Sequence, residues 1–128
     1  MTELQRIMHV EDDPSIQQVA KIALEAVGGF SVHTCGSGMQ ALTDYPTVAP
    51  QLILLDVMMP GMDGPTTLQQ LQSRYDLSKV PVIFMTAKVQ SNEIASYKAL
   101  GAADVVAKPF DPMALSGQIR QIWLDFHL

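Results

Sequence analysis

Cysteine is all but missing: Cys35 is the only one in 128 residues. One thiol cannot close an intrachain disulfide, so a disulfide-stapled scaffold is excluded and a reducing compartment fits. Charge is also sparse, at 16% of residues, and it leans acidic, with 13 Asp and Glu against 8 Lys and Arg. A net charge of −5 argues against the basic face that direct nucleic-acid contact needs. It does not exclude basic protein partners. No apolar run approaches the ~20 residues of a membrane-spanning helix. The opening residues, Met1 to Arg6, hold no signal-peptide core. A cytoplasmic protein with no membrane partner is the expectation. There is no low-complexity tract and no internal repeat. What the chain does have is apolar content, 48%, enough for one domain spanning residues 1–128 with a real core.

Taken in order, residues 6–10 (RIMHV) form a buried strand that stops abruptly at Glu11, Asp12 and Asp13. Three acids in a row repel one another and need an offsetting charge. Asp13-Pro14 starts a helix, with Asp as cap and Pro in the first turn. Ile16, Val19, Ala20, Ala23, Ala26 and Val27 follow helical spacing, and Gly28-Gly29 ends the run. Phe30, Val32 and Thr34 alternate as a second strand. Met39, Leu42 and Tyr45 mark a short second helix, and Pro46 and Pro50 bracket a loop.

Residues 52–55 (LILL) are a strand buried on both faces, followed by Asp56 and a loop carrying Pro60, Gly61 and Gly64. Gly64-Pro65 opens a third helix with Leu68, Leu71 and Tyr75 inward. Residues 80–86 are a fourth strand, with Pro81 among its first residues. Ser91 is placed to cap a fourth helix bearing Ile94, Ala95 and Leu100, closed by Gly101. Val105-Val106 is a short fifth strand. Asp111-Pro112 repeats the cap-plus-proline start. Leu115, Ile119, Ile122 and Phe126 line the last helix, with Trp123 beside that stripe. Five strand–helix alternations predict a doubly wound α/β domain with a parallel sheet.

In such sheets, ligand chemistry gathers at the carboxyl ends of strands. Glu11-Asp12, Asp56, Thr86 and Lys108 all fall there: an acid pair, a lone acid, a hydroxyl and an amine. With VEDDP, LILLDVMMPGMDG, PVIFMTA and KPF in this order and spacing, the chain resembles a response-regulator receiver domain from end to end. The resemblance implies a flavodoxin-like (βα)5 fold with strand order 2-1-3-4-5. It implies that Asp56 accepts a phosphoryl group. It also implies that Glu11, Asp12, Asp56 and the Met58 backbone carbonyl hold Mg²⁺, with Glu11 acting mainly through a bound water. Three carboxylates are a hard-oxygen set suited to that ion. Lys108 and Thr86 would contact the phosphoryl oxygens, the backbone of Met58 and Ala87 would complete the cradle, and Pro109 would be cis. Asp13 matches no metal position.

The implied partners are a sensor histidine kinase or phosphotransfer protein, and a downstream target or an effector domain outside this chain. The implied output face is the last helix with the fourth helix and fifth strand. Whether phosphorylation drives dimerisation stays open. The domain would catalyse only its own phosphorylation and dephosphorylation, and so is not an enzyme in the usual sense. One position departs from the family: Val105 stands where an aromatic is usual, three residues before the lysine, and a β-branched side chain cannot act as a rotating ring. Three alternatives fit the residues less well. An Asp-nucleophile phosphatase would want a second acid two residues after Asp56, where Met58 stands. A pseudo-receiver binding partners without phosphorylation would ordinarily have lost part of the acid, Thr or Lys set. A nucleotide-binding module is disfavoured because no GxGxxG follows the first strand. His9, His33 and His127 show no metal-ligand spacing and are expected to be structural, and Cys35 to be inert.

Overall fold

Runs of four or five apolar residues become central strands because both of their faces are covered. The computed structural model describes residues 3–128. Its elements are β1 (Arg6–Val10), α1 (Pro14–Ile22) continued by a π-helical turn (Ala23–Val27), β2 (Ser31–Cys35), α2 (Gly38–Val48), β3 (Leu52–Asp56), α3 (Gly64–Arg74), β4 (Val82–Thr86), α4 (Ser91–Ala99), β5 (Asp104–Ala107) and α5 (Leu115–Phe126). The five strands pair in parallel in the order β2-β1-β3-β4-β5, as the resemblance implied. β3 and β4 are buried at every residue.

Alternation along the strands divides the core in two. Ile7, Leu52, Leu54 and Ile83 face Ala20, Leu24, Ile119 and Trp123 on one side. Met8, Ile53, Leu55 and Phe84 face Leu42, Leu68 and Leu71 on the other. Each fully buried Leu, Ile or Phe contributes about 1.5–3 kcal/mol. That burial fixes the strand ends, and with them the site residues.

The helix starts follow their caps. Asp13 accepts from Ser15 N at 2.8 Å and Ile16 N at 3.2 Å. Asp63 caps α3 by accepting from Thr66 N at 2.8 Å. Gly64 lies so close to the Asp56 carbonyl that a Cβ there would collide with it, so only glycine lets the loop fold back over the end of β3.

Several expectations are corrected. Pro46 does not end the second helix but lies inside α2. The carbonyl it cannot bond, that of Leu42, instead accepts from Tyr75 Oη at 2.8 Å. α4 is capped by Gln90 rather than Ser91, with Glu93 Oε1 accepting from Gln90 N at 3.3 Å. The apolar residues expected on it are not buried: Ala95 and Leu100 are exposed and Ile94 only half-buried. Asp111 forms a turn, accepting from Met113 N through its side chain and from Leu115 N through its carbonyl, and α5 starts only at Leu115. Along α1 and its π-helical turn, Val19 and Val27 are exposed while Leu24 is buried. On α5, Trp123 is buried and Phe126 exposed. On α2, Met39 is exposed while Ala41 and Leu42 turn inward. β4 begins at Val82, one residue after Pro81, whose carbonyl accepts from Ile53 N at 3.0 Å.

α5 is latched to the end of α1. Ser116 Oγ donates to the Ala23 carbonyl at 2.7 Å, at the start of the π-helical turn. Arg120 donates to the Gly28 carbonyl at 2.9 Å and lies over the Phe30 ring. No helix among the described residues is long and apolar enough to cross a membrane.

Candidate functional site

The carboxyl edge of the sheet gathers the acids, the hydroxyl and the amine from separate strands. Asp56 is the last residue of β3 and only 2% exposed. Glu11 follows β1 and is 1% exposed, its N–H donating to the Cys35 carbonyl at 2.9 Å. That bond carries the β1–β2 ladder one residue past the strand. Gln17 Nε2 donates to the Glu11 carbonyl, and Asp13 N donates to Glu11 Oε2 at 3.2 Å. Asp12 is exposed on the rim. Carboxylate oxygens of Glu11, Asp12 and Asp56 lie within 4.8 Å of one another.

Lys108 directly follows β5, and its peptide bond to Pro109 is cis. Its Nζ lies 2.8 Å from Asp56 Oδ1 and 3.0 Å from Glu11 Oε1. One ammonium thus bridges two buried carboxylates. Burial works against the Lys108 charge, but the hydrogen bonds it donates to Asp56 and Glu11 outweigh it and hold its pKa above the usual lysine value. Burial raises the Glu11 pKa, and repulsion from Asp56 adds to that rise against the opposing bonds from Lys108 and Asp13 N. With all four groups ionised, three carboxylates face one lysine. The surplus is negative, the donors are all oxygen, and the rim is open: a donor set that fits a hard divalent cation.

Thr86 ends β4 and is buried. Its Oγ1 accepts from Lys88 N at 3.1 Å, which leaves the hydroxyl hydrogen to donate elsewhere. Met58 and Ala87 follow β3 and β4 on the exposed rim, the Met58 side chain 76% exposed. Val105, where the family's aromatic would stand, is a half-buried strand residue packed against the second core.

Two features escaped the sequence. His9 is fully buried in β1 with both ring nitrogens lacking a partner. Burial, then the Lys108 charge, pushes its pKa down to about 4, so the ring is neutral at pH 7. His33, Cys35 and Asp44 also converge. The His33–Cys35 pair was legible as two residues on one strand face, but its third member lies on another element.

Comparison with known proteins agrees with this geometry. The response regulator receiver domain family matches residues 7–120. The DNA-binding response regulator MtrA of Mycolicibacterium smegmatis is 39% identical over 119 residues, covering 93% of this chain and 50% of that protein. The transcriptional regulatory protein CseB of Streptomyces coelicolor is 35% identical over 126 residues, covering 98% of this chain and 52% of that protein. The chain therefore spans about half the length of these relatives. The chemotaxis response regulator CheY4 of Vibrio cholerae superposes with a TM-score of 0.86 at 25% identity, covering 94% of this chain and 99% of that one. Fold, strand-end residues and sequence similarity agree, and the chain belongs to the response regulator receiver domain family of two-component signalling systems.

Proposed function

We propose that Asp56 is a phosphoacceptor and that Glu11, Asp12 and Asp56, with the Met58 carbonyl, hold the Mg²⁺ that the reaction needs. The observation that carries this reading is the pairing of Asp56 with Lys108 at 2.8 Å inside a cluster of three carboxylates. An Asp56 carboxylate oxygen attacks the phosphorus of a phosphohistidine donor. A P–O bond forms, the P–N bond breaks, and the imidazole departs with the bonding pair. Mg²⁺, when bound, neutralises charge on the transferring phosphoryl oxygens. Lys108 swings its ammonium from the carboxylates to a phosphoryl oxygen. Thr86 donates its hydroxyl hydrogen to another, and backbone N–H groups of Met58 and Ala87 complete the cradle.

The donor is a sensor histidine kinase or a phosphotransfer protein. The chain catalyses its own modification and has no turnover substrate. The added charge biases a two-state surface, whose reader is a downstream protein or an effector domain outside these residues. The names of MtrA and CseB, a DNA-binding and a transcriptional regulator, support an output of that kind.

Intact-protein mass after incubation with acetyl phosphate and Mg²⁺ tests the reading. A single phosphoryl adduct is expected on the wild type, absent with EDTA and absent from Asp56→Asn. An adduct that persists in Asp56→Asn overturns the assignment.

A further inference from the structure

We propose that His33, Cys35 and Asp44 form a second metal site, distinct from the carboxylate cluster and suited to a borderline divalent transition metal such as Zn²⁺. β2 is the edge strand of the sheet. His33 and Cys35 are two residues apart on it, so their side chains project from the same face, toward α2. Asp44 stands on α2, opposite them. Its Oδ2 is the meeting point: His33 Nε2 lies at 2.8 Å, Gln40 Nε2 at 3.3 Å and Cys35 Sγ at 3.8 Å. One ligand atom from each of the three residues falls within 4.8 Å of the other two.

The chemistry of the donors sets the class of metal. Imidazole nitrogen, thiol sulfur and carboxylate oxygen together suit Zn²⁺, whereas an oxygen-only set suits Mg²⁺. Zn–N, Zn–O and Zn–S bonds of about 2.05, 2.1 and 2.3 Å at tetrahedral angles place nitrogen and oxygen about 3.4 Å apart and sulfur and oxygen about 3.6 Å apart. The sulfur–oxygen spacing here, 3.8 Å, is already close to that value. The nitrogen–oxygen spacing of 2.8 Å has to open by roughly half an ångström. Rotation of the His33 ring supplies it, because that side chain is 43% exposed. The same exposure opens a route from solvent and leaves the fourth position to water.

The sulfur is the protected ligand. Cys35 is fully buried beneath the other two, and burial with the Asp44 carboxylate pushes its thiol up to about 12. Binding breaks the S–H bond, forms the S–metal bond and releases the proton to solvent. Gln40 steadies the site from outside, reaching Asp44 through Nε2 and Gly36 N through Oε1, the latter at 2.8 Å. An ion here would tie the edge strand to α2.

Titration with Co²⁺ in excess Mg²⁺ tests this, with circular dichroism confirming that each variant is folded. A thiolate-to-Co²⁺ charge-transfer band is expected at one equivalent and should vanish when Zn²⁺ competes. It should persist in Asp56→Asn and be absent from Cys35→Ser. His33→Gln, at an exposed residue, and Asp44→Asn, at a half-buried one, should weaken binding more than Gln40→Ala, for which a roughly tenfold loss is expected. No band from folded wild type overturns the proposal. So does a band that survives both His33→Gln and Asp44→Asn, or one lost in Asp56→Asn.

Discussion

Lys108 carries more electrostatic responsibility than any other residue at the sheet edge. It bridges Glu11 and Asp56, and nothing else among the described residues forms an ion pair with either. Replacing it with Met leaves two buried carboxylates without their cation. The expected loss is about 2–4 kcal/mol, below the range for fully buried pairs because the lysine side chain is 21% exposed. Urea unfolding measures it. Added Mg²⁺ should stabilise Lys108→Met more than wild type, since the ion takes over the missing charge. Equal gains would mean that the cation and the lysine do not serve the same carboxylates.

His9 is the opposite case, a polar ring held in the core with no partner for either nitrogen. His9→Leu should stabilise the protein by about 1–2 kcal/mol at pH 7, because it removes unpaired buried polar atoms. The pH dependence has a defined sign. The folded-state pKa, about 4, lies below the ordinary 6.5, so folding opposes protonation. Stability is retained above pH 6.5 and falls as pH drops toward 4. The gap between His9→Leu and wild type should therefore widen by about 2–4 kcal/mol over that interval. A constant gap would show that His9 has a partner or a route to water.

At the scale of elements, Pro46 shows how a helix survives its own breaker. Proline lacks the N–H that the Leu42 carbonyl would normally accept, and Tyr75 Oη at the end of α3 replaces it at 2.8 Å. Stacking of Tyr45 on Tyr75, with ring centroids 4.5 Å apart, holds the hydroxyl there. Tyr75→Phe should cost about 1–2 kcal/mol by orphaning that carbonyl. In a Pro46→Ala background the carbonyl regains a helical donor and the cost should shrink. A double-mutant cycle by chemical denaturation reads the coupling. Additive effects would show that the two residues act independently.

The same elements show what the sequence discloses and what it hides. Asp13, Asp63 and the strand-end acids are local signals, because cap, strand end and turn are each set within a few residues. The sheet order and the set Glu11, Asp12, Asp56, Thr86 and Lys108 were legible through the ordered motifs of the family. Pro46 reads as a break because its rescue comes from Tyr75, on another helix. The turn at Asp111 mimics a helix start because an Asp side chain caps both in the same way. His33 and Cys35 look inert because their third partner, Asp44, arrives only when α2 packs on β2. Outside the family's motifs, a feature that needs two segments to meet leaves no trace in either one alone.

For the whole molecule, the proposed function raises the question of how a phosphoryl group on Asp56 would reach a surface when Val105 stands in place of the usual ring. The sheet centre is rigid, with β3 and β4 buried throughout. α4 buries no residue, and its main aromatic contact is Tyr97 edge-on to Phe84, with ring centroids 5.1 Å apart. An element with so little buried surface belongs at the low-stability end of the molecule. Amide exchange should therefore be fastest in α4 among the helices and slowest in β3 and β4. Among the site's side chains, Thr86 is the one at the end of β4, just before that helix, and its hydroxyl already holds Lys88 N on the connecting loop. Drawing the hydroxyl toward a phosphoryl group breaks that bond and frees the loop without any ring having to turn. Phosphorylation should thus change exchange across residues 87–99. Thr86→Ala should take up the same mass adduct yet lose most of that change. If the variant responds as strongly as wild type, the signal leaves Asp56 by another route, such as Lys108 with β5.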